Sequence, residues 1–225
     1  MAKRTALSAG AAPAASVAAP TARRDAASTS ATELEESQLI TAAYRFLLRG
    51  GSASISVAAI LAEAGLSTRA FYRHFASKDE LLLAMFRADF ETSLQQLRRR
   101  LAQTTSPVAA LEAWVTHMIA LAFDDKRRQR FNVMTCAEVQ GAEGYAQERA
   151  RVAQELGGIL EQILTDGLHT GEFPTAEPGI DARALNAVTE MFLMERAWGA
   201  TTLTAPEAER LTMSLARRAL GYTGS

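Results

Sequence analysis

The chain has 225 residues, of which 48% are hydrophobic and 22% charged, enough for a buried core in one large or two small domains. Its formal net charge is −1, which excludes the global basic field of an unselective nucleic-acid binder, so any DNA binding must rest on a local cluster of charge. A single cysteine, Cys136, excludes an internal disulfide framework and any multi-cysteine metal site, and fits a reducing compartment.

Residues 1–31 are rich in Ala and Ser, contain Pro13 and Pro20, and carry +3 against −4 for the rest of the chain. Lys3 and Arg4 followed by an Ala-rich run loosely resemble an export signal, but the run lacks Leu, Ile and Phe. A disordered basic tail and a cytoplasmic location are the expectation. No uncharged apolar run approaches the ~20 residues that span a bilayer, so no membrane is expected.

From Thr32 onward the pattern is helical. Thr32 and Glu35 form a capping-box pattern, Leu39, Ala43, Phe46 and Leu47 recur at helical spacing, and Gly50-Gly51 ends the first helix. The second starts near Ser54 or Ser56 and places Val57, Ile60, Leu61 and Ala64 on one face before Gly65. Only Leu66 and Ser67 separate that glycine from a short helix over 68–75, whose Phe71 and Phe75 lie one turn apart. Ser77 and Glu80 repeat the capping-box spacing and open a long helix with the stripe Leu82, Phe86, Phe90, Leu94, Leu97 and Leu101.

Ser106-Pro107 starts a fifth helix, and a short one is expected over 131–139. A long helix follows Gly144, and Gly167, Gly171, Pro174, Pro178 and Gly179 mark the longest loop. Helices over 181–200 and 206–220 close the chain. The expected fold is all-α, with about nine helices: a tail over 1–31, a DNA-binding domain over 32–78 and a ligand-binding and dimerisation domain over 79–221.

Two short helices joined by a tight Gly-containing turn make a helix-turn-helix, here over about 56–75, whose second helix enters the major groove. Arg69 and Arg73 fall opposite the Phe71/Phe75 side, with Tyr72 on one flank. Such arginines suit phosphate oxygens or the O6/N7 edge of guanine. Each residue has a plainer reading. Tyr72 could cover a helix seam, His74 lies nearer the buried side of the wheel, and surface arginines are common.

The stretch from Ile60 to Leu82 resembles the amino-terminal domain of the TetR family of regulators. It carries Ala-Glu-Ala-Gly-Leu-Ser over 62–67, then Tyr72-Arg73-His74-Phe75, then Ser77-Lys78-Asp79-Glu80-Leu81. The resemblance covers about 39–86 and is one of helical architecture alone beyond that. It implies a homodimer that represses its genes from a palindromic double-stranded DNA operator and lets go when a small molecule enters the carboxy-terminal domain. On this chain it places Thr68, Arg69 and Ala70 near base edges, Tyr72, His74 and Lys78 on phosphates, and Ser56 facing the backbone. Ala70 stands where a hydroxyl residue is frequent in the family, and residues 33–90 sum to only −1, so phosphate neutralisation is expected to be modest.

For the effector, the side chains expected to line a pocket are Trp114, His117, Met118, Phe131, Met134, Met191, Glu195 and Trp198, alongside Phe123, Phe192 and Met194. The same residue types equally make plain core. The last two helices are expected to dimerise, through Leu185, Val188, Phe192 and Glu195 on one and Leu211, Leu215 and Ala219 on the other. His74, His117 and His169 have no metal-ligand spacing, and neither a nucleophile elbow nor a phosphate-binding loop is present, so neither catalysis nor a cofactor is expected. The competing expectations are a ligand-independent dimeric DNA-binding protein and a helical enzyme without sequence signals.

Overall fold

A computed structural model describes residues 20–49, 55–197 and 199–222, with the backbone alone for 20–31. The Gly50-Gly51 stop, Trp198 and the first part of the tail lie outside the described residues. The described residues form ten helices and no strand. They are α1 (Pro20–Leu48), α2 (Val57–Ala64), α3 (Thr68–His74), α4 (Lys78–Leu101), α5 (Pro107–Phe123), α6 (Asp125–Met134), α7 (Ala137–Gln140), α8 (Tyr145–Thr170), α9 (Pro178–Ala197) and α10 (Ala205–Leu220).

Several boundaries differ from those expected. Helix α1 starts at Pro20, not at Thr32, so residues 20–31 of the expected disordered tail are helical. Proline suits a first helical position, and the Ala-rich stretch behind it has high helix propensity. The carboxylate of Glu35, expected to cap that helix, instead reaches α3. The single short helix expected over 131–139 is two, because Asp124 caps α6 by accepting from the Arg127 amide at 3.0 Å and α6 ends at Met134. Gly167, read as loop, lies inside α8. A Cβ there would stand 1.9 Å from the ring of Phe173, which is fully buried, so the glycine makes room for that ring.

Two cores stack along α4, a helix of 24 residues and so about 36 Å long. The lower core holds Leu39, Ile60, Phe71, Phe75, Leu82 and Phe86 of the first four helices. It also takes Val133, Met134, Val139 and Tyr145, so α6, α7 and the start of α8 pack directly on the helix-turn-helix. The upper core is built by α5, α8, α9 and α10 around Trp114, Leu160, Leu185 and Phe192.

Candidate DNA interface and effector cavity

Four local devices hold the helix-turn-helix in shape. Ser56 Oγ accepts from the Ala59 amide at 3.2 Å, opening α2. Gly65 closes that helix with φ of +67°, a left-handed conformation that costs an L side chain energy. Ser67 then opens α3 by accepting from Ala70 N at 3.2 Å, and Ser77 opens α4 by accepting from Glu80 N at 3.1 Å. With only two residues between Gly65 and α3, the angle between the two short helices is set by the caps and by burial of Phe71 beneath them.

On α3, Ala70 and Phe71 face inward, and Thr68, Arg69, Tyr72 and Arg73 face solvent. Tyr72 is 59% exposed although it is a large aromatic, with its ring edge-on to Phe71. Arg69 has no side-chain partner among the described residues. Arg73 pairs with Glu35 of α1, and the same carboxylate lies 3.0 Å from His74 Nε2. The His74 side chain is 3% exposed, so the structure places it in the packing between α1 and α3. Its hydrogen bond, followed by that of Arg73, holds the Glu35 carboxyl below the ordinary carboxylate range. Lys78, the first residue of α4, pairs with Glu138 of α7 at 3.1 Å. The sequence held no sign of the Glu35 tie, since it joins residues 38 and 39 positions apart.

Between the two cores lies a cavity of about 190 Å³. Four of the expected pocket residues, His117, Met118, Phe131 and Met134, line it, as does Met194. Trp114 is fully buried in the upper core away from it, Met191 is 45% exposed on the outside of α9, and Glu195 is half-buried off the cavity wall. Phe123 and Phe192 pack ring to ring rather than lining it. The wall residues that sequence reasoning missed include Phe86 and Phe90 of α4 and Leu156 of α8. The first two were visible only as members of the long apolar stripe.

One polar group of the wall stands out. His117 is 1% exposed, and its Nε2 lies 3.1 Å from Ser93 Oγ while its Nδ1 has no partner. Burial, then the charges of Arg127 and Arg100, push its pKa down to about 4. An unfolded histidine binds its proton near pH 6.5, so this site favours the folded chain above that pH and disfavours it as pH falls toward 4. We expect wild type to lose about 2 kcal/mol more stability between pH 7 and pH 5 than His117→Gln, in urea unfolding at each pH. Equal losses would show that the ring already titrates normally in the folded chain.

No helix among the described residues is long and apolar enough to cross a membrane. Residues 39–85 match the family model described as bacterial regulatory proteins, tetR family. No curated protein matches the chain by sequence. Among solved structures, a transcriptional regulator of Pseudomonas aeruginosa PAO1 aligns over 84% of this chain and 91% of its own, with 20% identity and a TM-score of 0.71. A TetR transcription regulator of Haloarcula marismortui aligns over 84% and 98%, with 18% identity and a TM-score of 0.69. A TetR-family regulator of Mesorhizobium loti aligns over 84% and 96%, with 16% identity and a TM-score of 0.68. At these identities the likeness is one of fold, over 84% of the chain in each case. Residues 39–85 thus carry the sequence of a TetR-family DNA-binding segment, and the chain as a whole has the all-α fold of TetR-family transcriptional regulators.

Proposed function

We propose that the chain works in the cytoplasm as a homodimeric repressor, seated on a palindromic operator and released by a small molecule that enters the cavity between the cores. The observation that carries this reading is the outward row of Arg69, Tyr72 and Arg73 on a capped, aromatic-anchored α3. Arg69 is the side chain most available to a base edge, since Arg73 is partly engaged by Glu35. Thr68 and Ser56 sit at the amino ends of α3 and α2, where free backbone N–H groups and the helix dipole favour phosphate. Lys78, at the first turn of α4, is a further cation for phosphate once it exchanges its partner Glu138. Ala70 and His74 are buried and act by fixing how α3 sits, not by touching DNA.

Release follows from what the cavity touches. Phe86, Met134 and Tyr145 belong both to its wall and to the lower core, and Phe131, like Met134, comes from α6. On the same helix Arg130 lies over the Tyr44 ring of α1, 5.4 Å from its centroid, and pairs with Asp89 of α4. A ligand that moves α4 and α6 therefore moves the body carrying α3, because packed interfaces shift as units. Each tenfold loss of operator affinity needs ~1.4 kcal/mol of preference for the released form.

The reading is tested by selecting duplexes from a random pool with the purified protein. Recovery of an inverted repeat is the expected result, and sequence-indifferent binding would overturn it.

A further inference from the structure

The cavity has a charge imbalance that bears on what it accepts. Four charged side chains line it: Asp89, Arg127, Arg149 and Glu190. Asp89 is paired with Arg130, and Glu190 with Arg149. Both carboxylates are therefore already matched. Arg127 has no acidic partner among the described residues, and its Nη1 is buried without a hydrogen bond. The one excess charge at the cavity is thus a guanidinium.

A second unmatched group stands in the same wall. His117 Nδ1 is buried and unpartnered. Burial first, and then the nearby charge of Arg127, depress the basicity of this ring and keep it neutral at pH 7. When the Ser93 hydroxyl donates to Nε2, Nδ1 carries the proton and is a donor without an acceptor. Two buried donors without acceptors cost free energy that a ligand oxygen recovers. A hydrocarbon or a thioether leaves both unmet. An amine meets the repulsion of Arg127 and finds both carboxylates taken. Apart from Ser93, Thr135 and Asn186, the rest of the wall, including Phe90, Met118, Phe131 and Leu156, is mainly apolar and partly aromatic.

We propose that the cavity binds a small hydrophobic carboxylate, with its carboxylate on Arg127 and His117 and its aryl or short alkyl body against Phe90, Met118, Phe131 and Leu156. One unpaired guanidinium matches a monoanion, and a volume of about 190 Å³ suits a single ring or a short chain. The assignment rests on the cavity being the effector site.

The test compares octanoate and phenylpropionate with octanol, phenylpropanol and octylamine. Each is titrated against the purified protein by calorimetry, and against the operator complex by gel shift. The carboxylates are expected to bind at least tenfold more tightly than the matching alcohols and to release DNA. Arg127→Gln weakens carboxylate binding by about 10- to 100-fold, the worth of one charge-assisted hydrogen bond, and weakens the alcohols by a smaller factor, since their neutral oxygen gains less from the cation. The ligand-free melting temperature of this variant does not fall, because the guanidinium it removes has no acidic partner among the described residues. His117→Gln serves as an independent second variant, with a smaller loss in the same direction. Alcohols or the amine binding as tightly as the carboxylates, with release of DNA, would overturn the carboxylate assignment and leave the effector reading standing. Carboxylate binding that leaves the operator occupied would sustain the ligand class and overturn the effector reading. Failure of every probe to bind would overturn the assignment itself.

Discussion

Replacing Arg69 and Tyr72 together by alanine is expected to weaken operator binding at least 100-fold while leaving the fold intact. Arg69 is exposed with no side-chain partner among the described residues and Tyr72 is 59% exposed, so neither supports the core and each change costs the fold little. One arginine on a guanine edge is worth about 1–3 kcal/mol, and loss of an aromatic contact with the groove wall adds to it. A symmetric dimer doubles both losses. Arg73→Ala alone should cost less, because part of that side chain is committed to Glu35. Glu35→Gln separates the two roles: it frees Arg73 but loosens His74 in the packing between α1 and α3. Gel shifts over a range of salt distinguish base from phosphate contacts, since a lost phosphate contact lowers the salt slope by about one and weakens all sequences alike. Unchanged operator affinity in the double variant would show that α3 is not the reading helix.

The second large effect concerns assembly. Leu185 and Phe192 of α9, expected at a dimer interface, are buried in the chain's own core and are unavailable to a partner, and Leu215 packs against that core as well. What α9 turns outward is Ile180, 65% exposed, and Met191, 45% exposed, with Ala184 and Ala187 between them on the same face. Helix α8 runs beside it and offers Gly157 and Gly158, where an added Cβ would meet nothing within 4 Å. Helix α10, by contrast, exposes Arg210, Arg217 and Arg218 around Leu211, its one exposed large apolar residue. The α8–α9 face is therefore the better surface for a two-fold four-helix bundle, with α9 kept from the expected pair of helices and α10 replaced. Ile180→Glu with Met191→Glu is expected to turn a dimer of two 24.2 kDa chains into a monomer. Operator affinity should then fall by about 10²–10⁴-fold, the advantage of holding two half-sites through one linkage. Light scattering reads the mass, and a variant that stays dimeric would move the interface elsewhere.

The parts legible in the sequence were those set by near neighbours. Ser56, Gly65, Ser67 and Ser77 act within three or four residues, and Phe71 with Phe75 marks one helical face, so the helix-turn-helix could be read directly. The Glu35 tie to Arg73 and His74 spans two helices and leaves no local pattern. The same limit hid Val133, Met134 and Val139 in the lower core, which made α6 and α7 look like parts of a separate domain. Trp114 and Met118 are both apolar, lie four positions apart on α5 and belong to the same core, yet only Met118 also lines the cavity. Only the space left between helices decides between those fates. Gly167 was misread for a related reason, since a glycine that admits a ring looks in sequence like one that ends a helix.

The central claim is that α3 reads the major groove of a symmetric site, and guanine N7 is exposed only in that groove. Methylation interference on the selected operator therefore tests it most directly. The account expects N7 methylation at matching guanines in both half-sites, one helical turn or a multiple apart, to block binding by wild type, and the pattern to vanish from the residual binding of Arg69→Ala. Binding that is indifferent to N7 methylation throughout the protected sequence would contradict it.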